Sequence, residues 1–396
     1  MNISSRAIRL NASPIRKLVS YANEAKKKGK KIYHLNIGQP DIPTSPDFFK
    51  AMRAYDEKVV AYGDSKGDPN LIDAICKYYD KFNAGYKPEH VYITNGASEA
   101  LILAIESVCD PGDEVLLFEP FYANYSTFVT QASVRVVTID TCVENGYRLP
   151  SMRDIERNIS SNTRAIIVTN PGNPTGVVLT KEEIECLKTL ALRYDLALIV
   201  DEVYREFCYD GEFQSFASIR ELDNNLIMID SVSKRFSACG ARIGCVICKV
   251  PEFNEQIMKF CQARLCCPTI EMYAATALYS TSDEYFEDMK KEYQKRRDTL
   301  CEALAKLDDV VYSVPQGAFY AMIRLPVDDA EKFAIWMLQE FDVDGETMMF
   351  APGNGFYSNL ELGVDEVRLA YVLKSEDLEK AIYILGEALK VYPGRK

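Results

Sequence analysis

Along the middle of this chain, short apolar runs alternate with stretches of helical periodicity. The runs occupy residues 91–94, 114–118, 135–139, 165–169, 197–201, 226–230 and 244–249. They are apolar at consecutive rather than alternate positions, the pattern of strands buried on both faces. One intervening helix is well marked. Thr180 and Glu183 form a capping-box pair, and Ile184, Leu187, Leu190, Ala191 and Tyr194 fall on one face. Strands alternating with helices predict an α/β fold, a mostly parallel seven-stranded sheet flanked by helices.

The ends of the chain read differently. Residues 286–307 predict a long helix with one heavily charged side, followed by strands at 310–314, 318–323 and 367–371. Ser375 is the predicted cap of a last helix carrying Leu378, Ala381, Ile382 and Leu385 on one face. This predicts a large domain over 46–285 and a smaller α+β domain built from both chain ends, 1–45 and 286–396.

Composition narrows the function. The net charge of -12 argues against nucleic-acid or anionic-membrane partners. The basic cluster at 26–31 is short enough to be a solvated helix end and turn. No apolar run approaches the roughly 18 residues of a membrane span, and residues 1–6 lack a signal-peptide apolar region, so a cytoplasmic location is expected. The 12 cysteines are scattered, as reduced thiols are. Cys245 and Cys248 have CxxC spacing but lie in a predicted strand, where positions three apart point to opposite faces. With only His34 and His90 present, a histidine-rich zinc site or a Ser-His-Asp hydrolase is disfavoured. No metal site is expected.

The chemistry collects at the strand ends, where ligands bind in open α/β sheets. Asn95-Gly96-Ala97-Ser98 opens a helix whose N-terminus suits a phosphate, although Ser98 reads equally as a plain helix cap. Tyr122 can stack on a flat ring or sit in the core. Asn170-Pro-Gly-Asn173-Pro-Thr-Gly176 is a rigid loop presenting an amide. Asp201 and Tyr204 follow the fifth run, and a carboxylate ending an apolar strand needs a partner. The sixth run delivers Ser231, Ser233, Lys234 and Arg242, which offer an imine-forming amine beside phosphate-binding hydroxyls and a guanidinium.

In this order the motifs resemble the class I aminotransferases, the aspartate aminotransferase family of fold-type-I enzymes dependent on pyridoxal 5'-phosphate. The resemblance runs from Asn36-Ile-Gly38 to Val367-Arg368-Leu. It implies that Lys234 binds the cofactor as an imine and moves the α-proton, and that Asp201 faces the pyridine nitrogen. Tyr204 and Asn173 would hold the phenolic oxygen, and Tyr122 would cover the ring. Gly96, Ala97, Ser98, Ser231, Ser233 and Arg242 would cradle the phosphate, with Tyr62 arriving from the second subunit of a homodimer. Arg368 would take the substrate α-carboxylate, with Gly38 and Asn173 completing that site.

Two positions depart from the better-known aspartate enzymes. Tyr125 stands where they place a histidine behind the pyridine-binding aspartate. Ser98 stands where some bacterial relatives carry a lysine for the distal carboxylate. Arg264 is a substitute reaching across the dimer, or else a salt-bridged helix residue. The expected activity is transamination between an L-amino acid, aspartate foremost, and a 2-oxo acid such as 2-oxoglutarate. Aromatic or neutral donors, a C–S lyase or an aminocyclopropane-carboxylate-synthase-like reaction use the same scaffold. A non-catalytic binding protein is disfavoured because Asp201, Lys234, Asn173 and Arg368 are all present.

Overall fold

The computed structural model of the protein describes residues 1–8, 10 and 13–396. Its strands are β1 (Lys31–His34), β2 (Val91–Thr94), β3 (Glu114–Glu119), β4 (Arg135–Asp140), β5 (Thr163–Thr169), β6 (Ala197–Asp201) and β7 (Leu226–Ser231). They continue with β8 (Gly244–Cys248), β9 (Val311–Tyr312), β10 (Tyr320–Arg324), β11 (Glu346–Met349), β12 (Ala351–Pro352) and β13 (Glu366–Ala370).

Seven of them form one sheet in the order β2-β8-β7-β6-β5-β3-β4, with β8 antiparallel to both neighbours and the other pairs parallel. The consecutive apolar positions serve both faces. Val115, Ile167, Ile199 and Ile229 enter one core, while Leu116, Ile166, Val200 and Met228 enter the other. Cys245 and Cys248 likewise fall in opposite cores, so CxxC spacing on this strand does not make a pair. Helices cover both faces, as a parallel sheet requires.

The helix joining β5 to β6 spans Lys181–Tyr194. Thr180 Oγ1 accepts from the Glu183 N–H at 3.2 Å, and Glu183 Oε2 accepts from the Thr180 N–H at 2.8 Å. Ile184, Leu187, Leu190 and Ala191 are buried; Tyr194 is exposed at the last turn and donates its hydroxyl to Glu156. The long helix runs Asp283–Leu304 and the last one Ser375–Val391. Ser375 is the first helical residue rather than the cap. Lys374 holds the cap position with no side-chain bond, and the Ser375 hydroxyl accepts from Thr299 instead.

A second, antiparallel sheet has the order β12-β13-β10-β9. Arg368 sits on its inner strand, opposite Met322 on one side and Ala351 on the other. β1 pairs in parallel with β11. Sequence patterning does not reveal that pair, because each strand is four residues long and their contact is remote in the chain. The basic cluster straddles the end of helix Val19–Lys27, a turn and the first residue of β1. Among the described residues no helix is long and apolar enough to cross a membrane.

Beneath the end of β7 lies a buried ionic network. Asp230 receives two bonds from Arg235, at 2.6 and 3.0 Å, and a third from Tyr79 at 3.2 Å. Arg205 lies 3.4 Å from Asp230 and 3.5 Å from Glu202, and all four charged side chains are fully buried. The guanidiniums of Arg205 and Arg235 stack over Tyr79 and Tyr78. Arg235 follows Lys234, so the network fixes the backbone that carries the amine. Replacing Asp230 with alanine leaves two buried guanidiniums short of an anion, a loss of about 3–5 kcal/mol. Urea unfolding monitored by circular dichroism is expected to show a correspondingly lower midpoint for Asp230→Ala.

Candidate active site

The carboxyl ends of β2, β3, β5, β6 and β7 open on one cavity of about 340 Å³, closed on the far side by Tyr320 and Arg368 of the second sheet. Lys234 leaves the turn after β7, and its Nζ donates to the Gly38 carbonyl at 2.9 Å. Gly38 is required by close approach: a Cβ there would lie 1.9 Å from the Tyr320 hydroxyl.

Asp201 ends β6 and is 5% exposed. Its Oδ2 accepts from the Tyr125 hydroxyl at 3.0 Å and its Oδ1 from the Val203 N–H at 3.2 Å. No cation among the described residues is paired with it. Burial pushes its carboxyl from 3.8 up to about 6, against the two hydrogen bonds, which favour the anion. Tyr125 is the residue that the sequence sets where the better-known aspartate enzymes carry a histidine, and here its hydroxyl bonds Asp201. It is fully buried and also bonds the Thr169 hydroxyl.

Tyr204 is buried beside Asn173, whose Nδ2 donates to the Tyr204 hydroxyl at 3.5 Å; that hydroxyl lies 3.0 Å from the hydroxyl of Tyr320. Tyr122 lines the cavity edge-on to Tyr125, with ring centroids 5.4 Å apart, and its hydroxyl accepts from Asn124 at 2.8 Å.

The opposite end of the cavity is an anion cradle. Gly96, Ala97 and Ser98 form the first turn of helix Gly96–Val108, with their N–H groups unpaired inside the helix. Gly96 has φ +74°, and a Cβ there would lie 2.3 Å from the Arg242 guanidinium. Arg242 donates to the Asn95 carbonyl at 3.3 Å and to the Cys239 carbonyl at 3.1 Å. The Ser231 hydroxyl lies 2.7 Å from that of Ser233 and donates to the Ile243 carbonyl at 3.0 Å.

Arg368 is 1% exposed. It donates to Asn173 Oδ1 at 3.0 Å and to the Asn36 carbonyl at 2.7 Å, and its Nε has no partner. Its charge faces the rings of Tyr320 and Phe356 and no carboxylate, so burial lowers its pKa.

Two residues expected to act across a dimer lie outside the cavity of their own chain. Tyr62 is 81% exposed, outside the cavity of its own chain. Arg264 is also outside it. Its guanidinium pairs with Glu99 at 3.0 Å and donates to the Ser65 carbonyl at 2.8 Å, the geometry of a salt-bridged helix residue. Conversely, Tyr320, Cys239, Asn124, Ser13, Ile15 and Arg16 line the cavity without having been singled out. Tyr320 reads in the sequence as one more strand aromatic, and only the packing of the two sheets brings it to Tyr204.

The donor set fits pyridoxal phosphate. An anion cradle, an amine, an unpaired carboxylate and a second, buried guanidinium stand along one cavity. The chain matches aminotransferase class I and II over residues 30–383. The aspartate aminotransferase of Thermotoga maritima is 31% identical over 381 residues, covering 94% of this chain and 96% of that protein. Aromatic-amino-acid aminotransferase 2 of Thermococcus litoralis is 31% identical over 401 residues, covering 98% and 99%. The solved structure of alanine aminotransferase from Pyrococcus furiosus superposes with a TM-score of 0.89 at 30% identity, covering 98% of this chain and 100% of that one. Strand ends, cavity and relatives agree: the chain belongs to the class I and II aminotransferases, enzymes that depend on pyridoxal phosphate.

Proposed function

We propose that this aminotransferase moves the amino group of an L-amino acid, aspartate foremost, to a 2-oxo acid such as 2-oxoglutarate. The observation that carries the reading is Arg368, a buried guanidinium with no carboxylate of its own, in the same cavity as Lys234 and Asp201. A buried charge left short of an anion is costly, and a substrate α-carboxylate removes that cost by a bidentate pair. The Gly38 backbone and the Asn173 amide complete that site.

Pyridoxal phosphate, when bound, supplies an aldehyde that takes up the amino group and a ring that accepts electrons from Cα. Lys234 Nζ would hold the aldehyde and then move the α-proton. Asp201 would keep a proton on the ring nitrogen, which needs its carboxylate ionised. Tyr204 and Asn173 would donate to the phenolic oxygen, and Tyr122 would cover the ring. Gly96, Ala97, Ser98, Ser231, Ser233 and Arg242 would hold the phosphate, joined by Tyr62 of the partner subunit. That contribution makes the working form a two-fold homodimer. Exposed Val59, Val60 and Tyr62 on one loop support a subunit contact there. The division into 46–285 and 1–45 with 286–396 is supported by the separation of the seven-stranded sheet from the other two. Twelve free cysteines support a reducing, cytoplasmic setting.

The reaction is tested with a panel of amino donors against 2-oxoglutarate. Release of pyruvate, ammonia or thiol without an added oxo acid, in place of transfer, overturns the reading. Lys234→Ala is expected to lose the visible imine absorbance and at least about 10²–10⁴-fold of turnover; normal transfer by that variant counts against the assignment.

Asp201 makes a pH prediction. Its folded pKa is raised, so in the cofactor-free protein its contribution is fully present below 3.8 and is lost as pH rises through about 6. The loss is about 3 kcal/mol, and Asp201→Asn escapes it. Urea unfolding of the cofactor-free proteins at pH 4 and pH 7 is expected to show Asp201→Asn gaining on the wild type at the higher pH. Parallel behaviour contradicts the raised pKa.

A further inference from the structure

Among the described residues five charged side chains line the cavity: Arg16, Asp201, Lys234, Arg242 and Arg368. Four of them are accounted for by cofactor and α-carboxylate. Arg16 is not. It is exposed, and among the described residues its side chain makes no ion pair or hydrogen bond.

Its position is tied to the carboxylate site by two hydrogen bonds. The carbonyl of Ile15 accepts from Asn36 Nδ2 at 2.9 Å, and the carbonyl of Asn36 accepts from Arg368 at 2.7 Å. The backbone that carries Arg16 is therefore held beside the group that faces the substrate. A substrate with one carboxylate satisfies Arg368 and leaves Arg16 without a counter-charge. A substrate with two carboxylates satisfies both. Asp201, the only acid lining the cavity among the described residues, already faces Tyr125 and the Val203 amide. Arg264, the other cation considered for a second carboxylate, is engaged by Glu99 and two backbone carbonyls.

We propose that Arg16 binds the distal carboxylate of the substrate and selects dicarboxylic amino and oxo acids. The proposal rests on the aminotransferase reading above and names the residue that sets its substrate class. It also places the cation on the segment leading into the site, so that a dianion would hold that segment against the cavity. The net charge of the chain is -12, and a cluster of cations at the cavity is what draws a dianion to it.

The test uses the holoenzyme and its Arg16→Gln variant. The amino-donor half-reaction is followed by cofactor absorbance with L-aspartate and with L-alanine, and succinate binding is measured by calorimetry. Loss of the Arg16 charge predicts a fall in the aspartate-to-alanine ratio of kcat/KM on the order of 10-fold, with succinate weakened to a similar degree. Arg16→Lys is expected to recover part of both. An unchanged ratio or an unchanged succinate affinity in Arg16→Gln overturns the proposal. So does a fall in the ratio seen in Arg264→Gln and not in Arg16→Gln. A wild-type enzyme that transaminates alanine or phenylalanine and neglects aspartate also overturns it, while leaving the aminotransferase reading intact. A wild type that transfers no amino group overturns that reading itself.

Discussion

The structure is organised around charges taken out of water at the ends of buried strands. Asp201, Asp230, Arg235 and Arg368 are all buried, and each stands where an apolar run gives way to a turn or faces one. Two are matched within the chain: Asp230 and Arg235 neutralise each other in a buried network braced by aromatic rings. Two are not matched. Among the described residues Asp201 has hydrogen bonds and no cation, and Arg368 has carbonyl acceptors and no anion. A folded protein keeps such unbalanced charges when something that binds will balance them.

The matched pair supports the unmatched ones. Arg235 is the neighbour of Lys234, and its bidentate bond to Asp230 pins the turn from which the amine rises. The second sheet supplies the opposite wall. β13 carries Arg368 between β12 and β10, and β10 brings Tyr320 against Tyr204. Neither sheet alone makes the cavity. Gly38 and Gly96 mark two close approaches at the cavity, one beneath Tyr320 and one beneath Arg242.

Much of this was legible in the residues. Buried parallel strands need apolar residues on both faces, so their runs stand out, and the polar residues that end each run fall by topology at one edge of the sheet. That is why Asn173, Asp201, Tyr204, Lys234 and Arg242 could be named from the chain, and why Thr180 and Glu183 could place a helix start. Local patterning misjudged Tyr194, which a helical face includes and the last turn leaves exposed, and Ser375, a good capping residue one position inside the helix.

The sequence by itself determined the strands of the large sheet, their order of chemistry and the family they belong to, because each depends on residues close together in the chain. Tertiary structure decided what the cavity gathers from a distance. It joined β1 to β11, set Tyr320 over Gly38, turned Arg264 toward Glu99 and left Arg16 at the cavity beside the Arg368 site. Those outcomes rest on contacts between segments remote in sequence, where side-chain burial and charge pairing are settled by packing and carry no local signature.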